Sequence, residues 1–66
     1  MKNKLKVCRA ELNITQAQLA EHIGVTRQAI NAIELGKFVP STVIALKMAR
    51  LFDKPVEQIF MLEEED

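Results

Sequence analysis

Cysteine and histidine occur once each, at Cys8 and His22, and glycine and proline only twice each in 66 residues. A lone cysteine excludes an internal disulfide and any cysteine-based metal centre. A single histidine with no carboxylates at ligand spacing gives no zinc site. A Cys8–His22 nucleophile pair finds no support, because both residues fall in helical patterns with no third group to orient them. Cys8 reads as a small buried apolar residue and His22 as a solvated helix position. No apolar run approaches the roughly 18 residues of a membrane span. Met1-Lys2-Asn3-Lys4 does not open an apolar leader, so a cytoplasmic location is expected. With 48% apolar residues and so little Gly and Pro, disorder is not expected either. No nucleophile, base or metal constellation exists, so the sequence predicts neither an enzyme nor a cofactor.

Size sets the next limit. Surface scaling gives roughly 4,200 Å² of folded surface, with about 60% of the unfolded surface buried. That is enough for one small core. Nine basic and nine acidic side chains cancel, but four of the acids form the run Glu63-Glu64-Glu65-Asp66. The remaining 62 residues carry nine bases against five acids, and Lys2, Lys4, Lys6 and Arg9 open the chain. Overall neutrality therefore does not argue against an anionic partner. The acidic run itself reads as a solvated tail.

Periodicity is helical throughout and predicts five helices. The first is expected from about Lys2 to Leu12, with Leu5, Cys8 and Leu12 as its inward stripe and Asn13 as its left-handed end. Thr15-Gln16-Ala17-Gln18 is a capping box opening the second, which Gly24 ends. Thr26 caps the third and Gly36 stops it. Ser41 caps the fourth, roughly Thr42 to Phe52. Pro55 opens a short fifth, about Pro55 to Met61.

The second and third helices carry the function. Two short helices packed at a steep angle need a small residue where they meet, and Ala20 is there. The turn needs a positive φ four residues later, and Gly24 supplies it. Leu19, Ile23, Val25, Ile30 and Ile33 supply the inward faces. This set is a helix-turn-helix pattern. What remains outside on the third helix is Thr26, Arg27, Gln28 and Asn31. Arg, Gln and Asn are the side chains that form paired hydrogen bonds with base edges in the major groove. Thr15, Gln16 and Gln18 gather at the N-terminus of the second helix, where free amides and the helix dipole favour phosphate. Thr26, Lys37 and Ser41 are further candidates for phosphate.

At these residues the sequence resembles the Cro/C1-type (XRE-like) helix-turn-helix regulators, with their lambda-repressor-like, all-α five-helix bundle. The resemblance covers about Leu5 to Phe60. It rests on Leu5-Lys6-Val7-Cys8-Arg9, Thr15-Gln16-Ala17-Gln18-Leu19-Ala20, Gly24 to Asn31, Ile33-Glu34, Gly36-Lys37, Pro40-Ser41 and Ile59-Phe60. It implies that the third helix is the recognition helix. Arg27, Gln28 and Asn31 match base-contacting positions, with Ala32 against a thymine methyl, and Gln16 matches a phosphate anchor. Arg9 and Glu34 match an ion pair that ties the first helix to the end of the third. Three positions depart from the pattern. Leu35 replaces a polar residue that helps anchor the DNA backbone, Cys8 replaces a leucine, and Asn13 replaces a glycine.

Residues 1–66 thus read as a single helix-turn-helix domain, with the motif at 16–35 and the acidic tail at 63–66. Val43, Ile44, Leu51, Met61 and Leu62 form an apolar surplus expected to join two copies. Met61-Leu62 is also a candidate short strand. The expectation is a repressor that binds a palindromic operator in double-stranded DNA as a homodimer. The alternative is a protein-interaction module, such as an antitoxin or controller protein that binds a partner protein.

Overall fold

A computed structural model describes all 66 residues. Five helices follow one another: α1 (Leu5–Leu12), α2 (Gln16–Ile23), α3 (Arg27–Glu34), α4 (Thr42–Phe52) and α5 (Val56–Ile59). Two-residue strands stand at either end, β1 (Lys2–Asn3) and β2 (Phe60–Met61). They pair antiparallel, Lys2 opposite Met61 and Asn3 opposite Phe60. The architecture is thus the expected five-helix bundle, with a small sheet closing it.

Local chemistry sets the boundaries. The Thr15 hydroxyl accepts from the Gln18 amide at 3.0 Å, and the Gln18 side chain accepts from the Thr15 amide at 2.8 Å, completing the capping box. Thr26 and Ser41 cap α3 and α4 in the same way, through the amides of Ala29 and Ile44. Each such cap stabilises by about 1 kcal/mol. Asn13 and Asp53 end α1 and α4 in the left-handed region, at φ 57° and 55°, as short polar residues can. Gly24 takes φ 87° at the turn between α2 and α3, where its amide and that of Val25 both donate to the Ala20 carbonyl.

The core is built from every helix. Leu5, Leu19, Ile30, Ile33, Met48 and Ile59 are its largest fully buried side chains, each contributing roughly 1.5–3 kcal/mol. Cys8 is buried among them, where burial pushes its thiol pKa up. It therefore acts as a packing residue and not as a nucleophile.

Four expectations need correction. The first helix begins at Leu5, not Lys2, because the preceding residues pair with the end of the chain. Exposure alternates along Met1 to Lys4 with the period of a strand. The cap of α1 is correspondingly displaced, since the Asn3 side chain accepts from the Leu5 amide at 3.1 Å. The fifth helix stops at Ile59, because Phe60 turns extended at φ −119° to join the sheet. The strand near the C-terminus is Phe60–Met61 and its partner lies in the same chain. Finally, Leu12 is 45% exposed. The last turn of α1 runs past the core, so the inward stripe ends at Cys8.

Candidate nucleic-acid interface

The period of α3 divides its residues cleanly. Ile30 and Ile33 are buried, whereas Arg27, Gln28 and Asn31 are exposed and Ala32 is half-buried. Arg27 and Asn31 are four apart, as are Gln28 and Ala32, so they form two adjacent rows on the outer side. Neither Arg27 nor Gln28 has a side-chain hydrogen bond or ion pair within the chain. Arg27 also borders a shallow cleft whose far wall is Thr15, Gln16 and Ala17 at the start of α2. The N-terminus of α2 and the outer face of α3 therefore form one continuous surface.

The polar groups on that surface are selectively occupied. The capping oxygens of Thr15, Thr26 and Ser41 accept backbone amides from inside the helix, which leaves each hydroxyl proton available to an external acceptor. The amides of Gln16 and Ala17 at the head of α2, and of Arg27 and Gln28 at the head of α3, lie in the first turn, where no intrahelical acceptor exists. Lys37 follows the left-handed Gly36, and its side chain is exposed. Leu35 is exposed and apolar, so it offers no polar contact at the end of α3.

Beneath the surface lies an ion pair. Arg9 Nε donates to Glu34 Oε2 at 2.5 Å and Nη2 donates to Oε1 at 3.0 Å. Arg9 Nη1 donates to the Ile14 carbonyl at 3.1 Å. The hydrogen bonds to Glu34 push the Arg9 pKa up from an already high value, so the guanidinium stays charged. The side chains are only 15% and 8% exposed. Gln16 Nε2 bridges from this pair to the surface, donating to Glu34 Oε1 at 3.2 Å and to Asn31 Oδ1 at 3.1 Å. Sequence reasoning placed both Gln16 and Asn31 on the interface, but no spacing rule could show that they bond to each other.

Two other residues escaped sequence reading. Asn3 donates through Nδ2 to the Ile33 carbonyl at 2.8 Å, supporting the end of α3 from the first strand. Lys47 Nζ donates to the Ile23 carbonyl at 3.3 Å and closes the C-terminus of α2, where a cation is favoured.

Of the residues expected between copies, Val43 is 61% exposed and Leu62 81%. Ile44 and Leu51 are half-buried and pack against the chain's own core. Met61 is half-buried in the sheet. The exposed apolar face also includes Val39 and Leu46, which border a groove with Val56, Phe60 and Leu62.

Two short helices joined by a three-residue turn, the second bare on its outer face, define a helix-turn-helix domain. Helix-turn-helix is also the family whose profile matches this chain, over residues 5–59. The HTH-type transcriptional regulator YgzD of Bacillus subtilis is 48% identical, with both chains covered in full. One from Methanocaldococcus jannaschii is 50% identical over the whole of both chains. One from Archaeoglobus fulgidus is 42% identical across this chain and 93% of its own. The chain belongs to the Cro/C1-type helix-turn-helix family, whose members are DNA-binding transcriptional regulators and not enzymes.

Proposed function

We propose that the protein is a repressor that binds a palindromic operator as a homodimer, with α3 of each copy in the major groove. The observation that carries this is the outer face of α3. Arg27 and Gln28 stand free of intrachain partners there, on a helix whose other side is fully buried. Arg27, Gln28 and Asn31 read base edges, and Ala32 meets a thymine methyl. Thr15, Gln16, Gln18, Thr26, Lys37 and Ser41 hold the phosphates on either side, through hydroxyl protons, free helix-terminal amides, the Gln18 side-chain amide hydrogens and one cation. No helix is long and apolar enough to cross a membrane, which fits work in the cytoplasm.

A single eight-residue helix reaches only a few base pairs, so useful specificity needs two copies. The exposed Val43 and Leu62, extended by Val39 and Leu46, offer an apolar face for the second copy. Ile44, Leu51 and Met61, each half-buried, contribute their remaining exposed surface to the contact. Repression follows from occupancy, since a domain of this size on a promoter obstructs polymerase.

Selection of bound sites from random double-stranded DNA tests the reading. The expected product is an inverted repeat with half-sites about one helical turn, ~34 Å, apart. Recovery of no preferred sequence, together with a stable complex between this chain and a different protein, would replace it with the antitoxin or controller reading.

A further inference from the structure

The bridge from Glu34 through Gln16 to Asn31 has a directional consequence. Side-chain amides can flip, presenting either oxygen or nitrogen, and a free amide on DNA can serve as donor or acceptor. Here the choice is forced by chemistry. Glu34 is a carboxylate held beside the Arg9 guanidinium, and a carboxylate only accepts. Gln16 must therefore face it with Nε2. The second hydrogen on Nε2 points at Asn31, which must answer with Oδ1. That turns Asn31 Nδ2, with its two hydrogens, toward the open side of α3. The chain of constraints starts at the Ile14 carbonyl, which helps fix Arg9, and ends on the exposed surface.

We propose that Glu34 and Gln16 are positioning residues that lock the Asn31 amide as a donor, so that Asn31 selects bases with a major-groove acceptor and rejects cytosine. The inference rests on the reading of α3 as the DNA-contacting helix. Adenine and guanine offer N7, guanine also O6, and thymine O4, whereas cytosine offers only the hydrogens of its N4 amino group. A locked donor meets cytosine with hydrogen against hydrogen. An unlocked amide would turn over and accept from N4, and the discrimination would vanish. A second consequence concerns Gln16 itself. Both hydrogens of its Nε2 are occupied within the protein, so any phosphate it holds is held by its backbone amide at the head of α2.

The test compares variants on one operator. Site selection with the wild-type chain gives the half-site, and Asn31→Ala identifies the base pair that Asn31 reads as the position whose preference disappears. Gln16→Met keeps the length of the side chain and removes its amide. Affinities for the four bases at that position are then measured for both proteins. The wild type is expected to disfavour cytosine by about tenfold or more, and Gln16→Met to bring the four bases within about threefold, with preferences elsewhere in the half-site retained. Asn31→Asp gives an independent measurement, because it replaces the outward donor with an acceptor and should shift the preference toward cytosine. Unchanged discrimination in Gln16→Met, or no shift in Asn31→Asp, overturns the lock. An unaltered half-site in Asn31→Ala removes Asn31 from base reading and overturns it too, while leaving DNA binding by α3 standing. Absence of any selected sequence for the wild type refutes the functional reading itself.

Discussion

Asn3 and Ile33 are joined by a hydrogen bond of 2.8 Å from the Asn3 amide to the last-turn carbonyl of α3. The oxygen of the same side chain caps α1 through the Leu5 amide. One residue of a two-residue strand thus holds the start of one helix and the end of another. Asn3→Ala should destabilise the chain by about 1–3 kcal/mol, measured by urea unfolding. Asn3→Asp keeps an acceptor for Leu5 but loses the donor to Ile33. It should therefore restore part of the stability while leaving the amides at the end of α3 fast to exchange.

The contrast between Asn3 and Thr15 shows what the sequence discloses. Thr15 and Gln18 act within one turn of helix, and their chemistry is visible at fixed spacing. So is the pairing of small Ala20 with Gly24, and the division of α3 into buried Ile30 and Ile33 against exposed Arg27, Gln28 and Asn31. Asn3 acts across 30 positions of sequence, in a strand too short to leave a pattern. The same holds for Phe60, whose apolar side chain fits a helix or a strand equally well. Tertiary pairing with the chain start decided between them. On the interface, residue types were legible but bonds between side chains were not. Gln16 and Asn31 each read as a DNA-contact candidate alone, and only the geometry reveals the hydrogen bond between them.

The ion pair between Arg9 and Glu34 gives a stability prediction. Removing either partner leaves a poorly solvated charge, which costs about 3–5 kcal/mol when fully buried. A chain of this length has roughly 3–10 kcal/mol in all. Arg9→Ala and Glu34→Ala should each lower the melting temperature markedly, and the double variant should lose less than the sum. Thermal unfolding of the three variants measures the coupling. Because Glu34 raises the Arg9 pKa above its already high ordinary value, the guanidinium's side of the pair is undiminished from neutral pH up to that value. It should show no loss across the neutral and mildly alkaline range, in contrast to a lysine or histidine pair.

Arg27 provides the cleanest separation of recognition from folding. Its side chain is exposed and unpaired, so Arg27→Ala should leave the unfolding free energy within about 0.5 kcal/mol of the wild type's. Binding to the selected operator should fall by about 1–3 kcal/mol, with binding to unrelated DNA nearly preserved. Titrations on both DNAs at fixed salt measure the difference. An equal loss on both would assign Arg27 to phosphate.

The apolar face beside α4 makes the proposed dimer testable without touching the core. The chain exposes 4,630 Å², about a tenth more than its mass would suggest. Val43 and Leu46 are among the exposed side chains, at 61% and 57%, and stand three apart on one face of α4. Neither is needed inside its own chain, so Val43→Glu and Leu46→Glu should cost the monomer little. Two facing glutamates would be brought together at a two-fold interface, where like charges and lost apolar contact both oppose association. Sedimentation should show the wild type as a dimer at micromolar concentration and each variant as a monomer. Operator affinity should fall in parallel, because the second half-site no longer binds with the first. A variant that remains dimeric would place the contact elsewhere on the molecule.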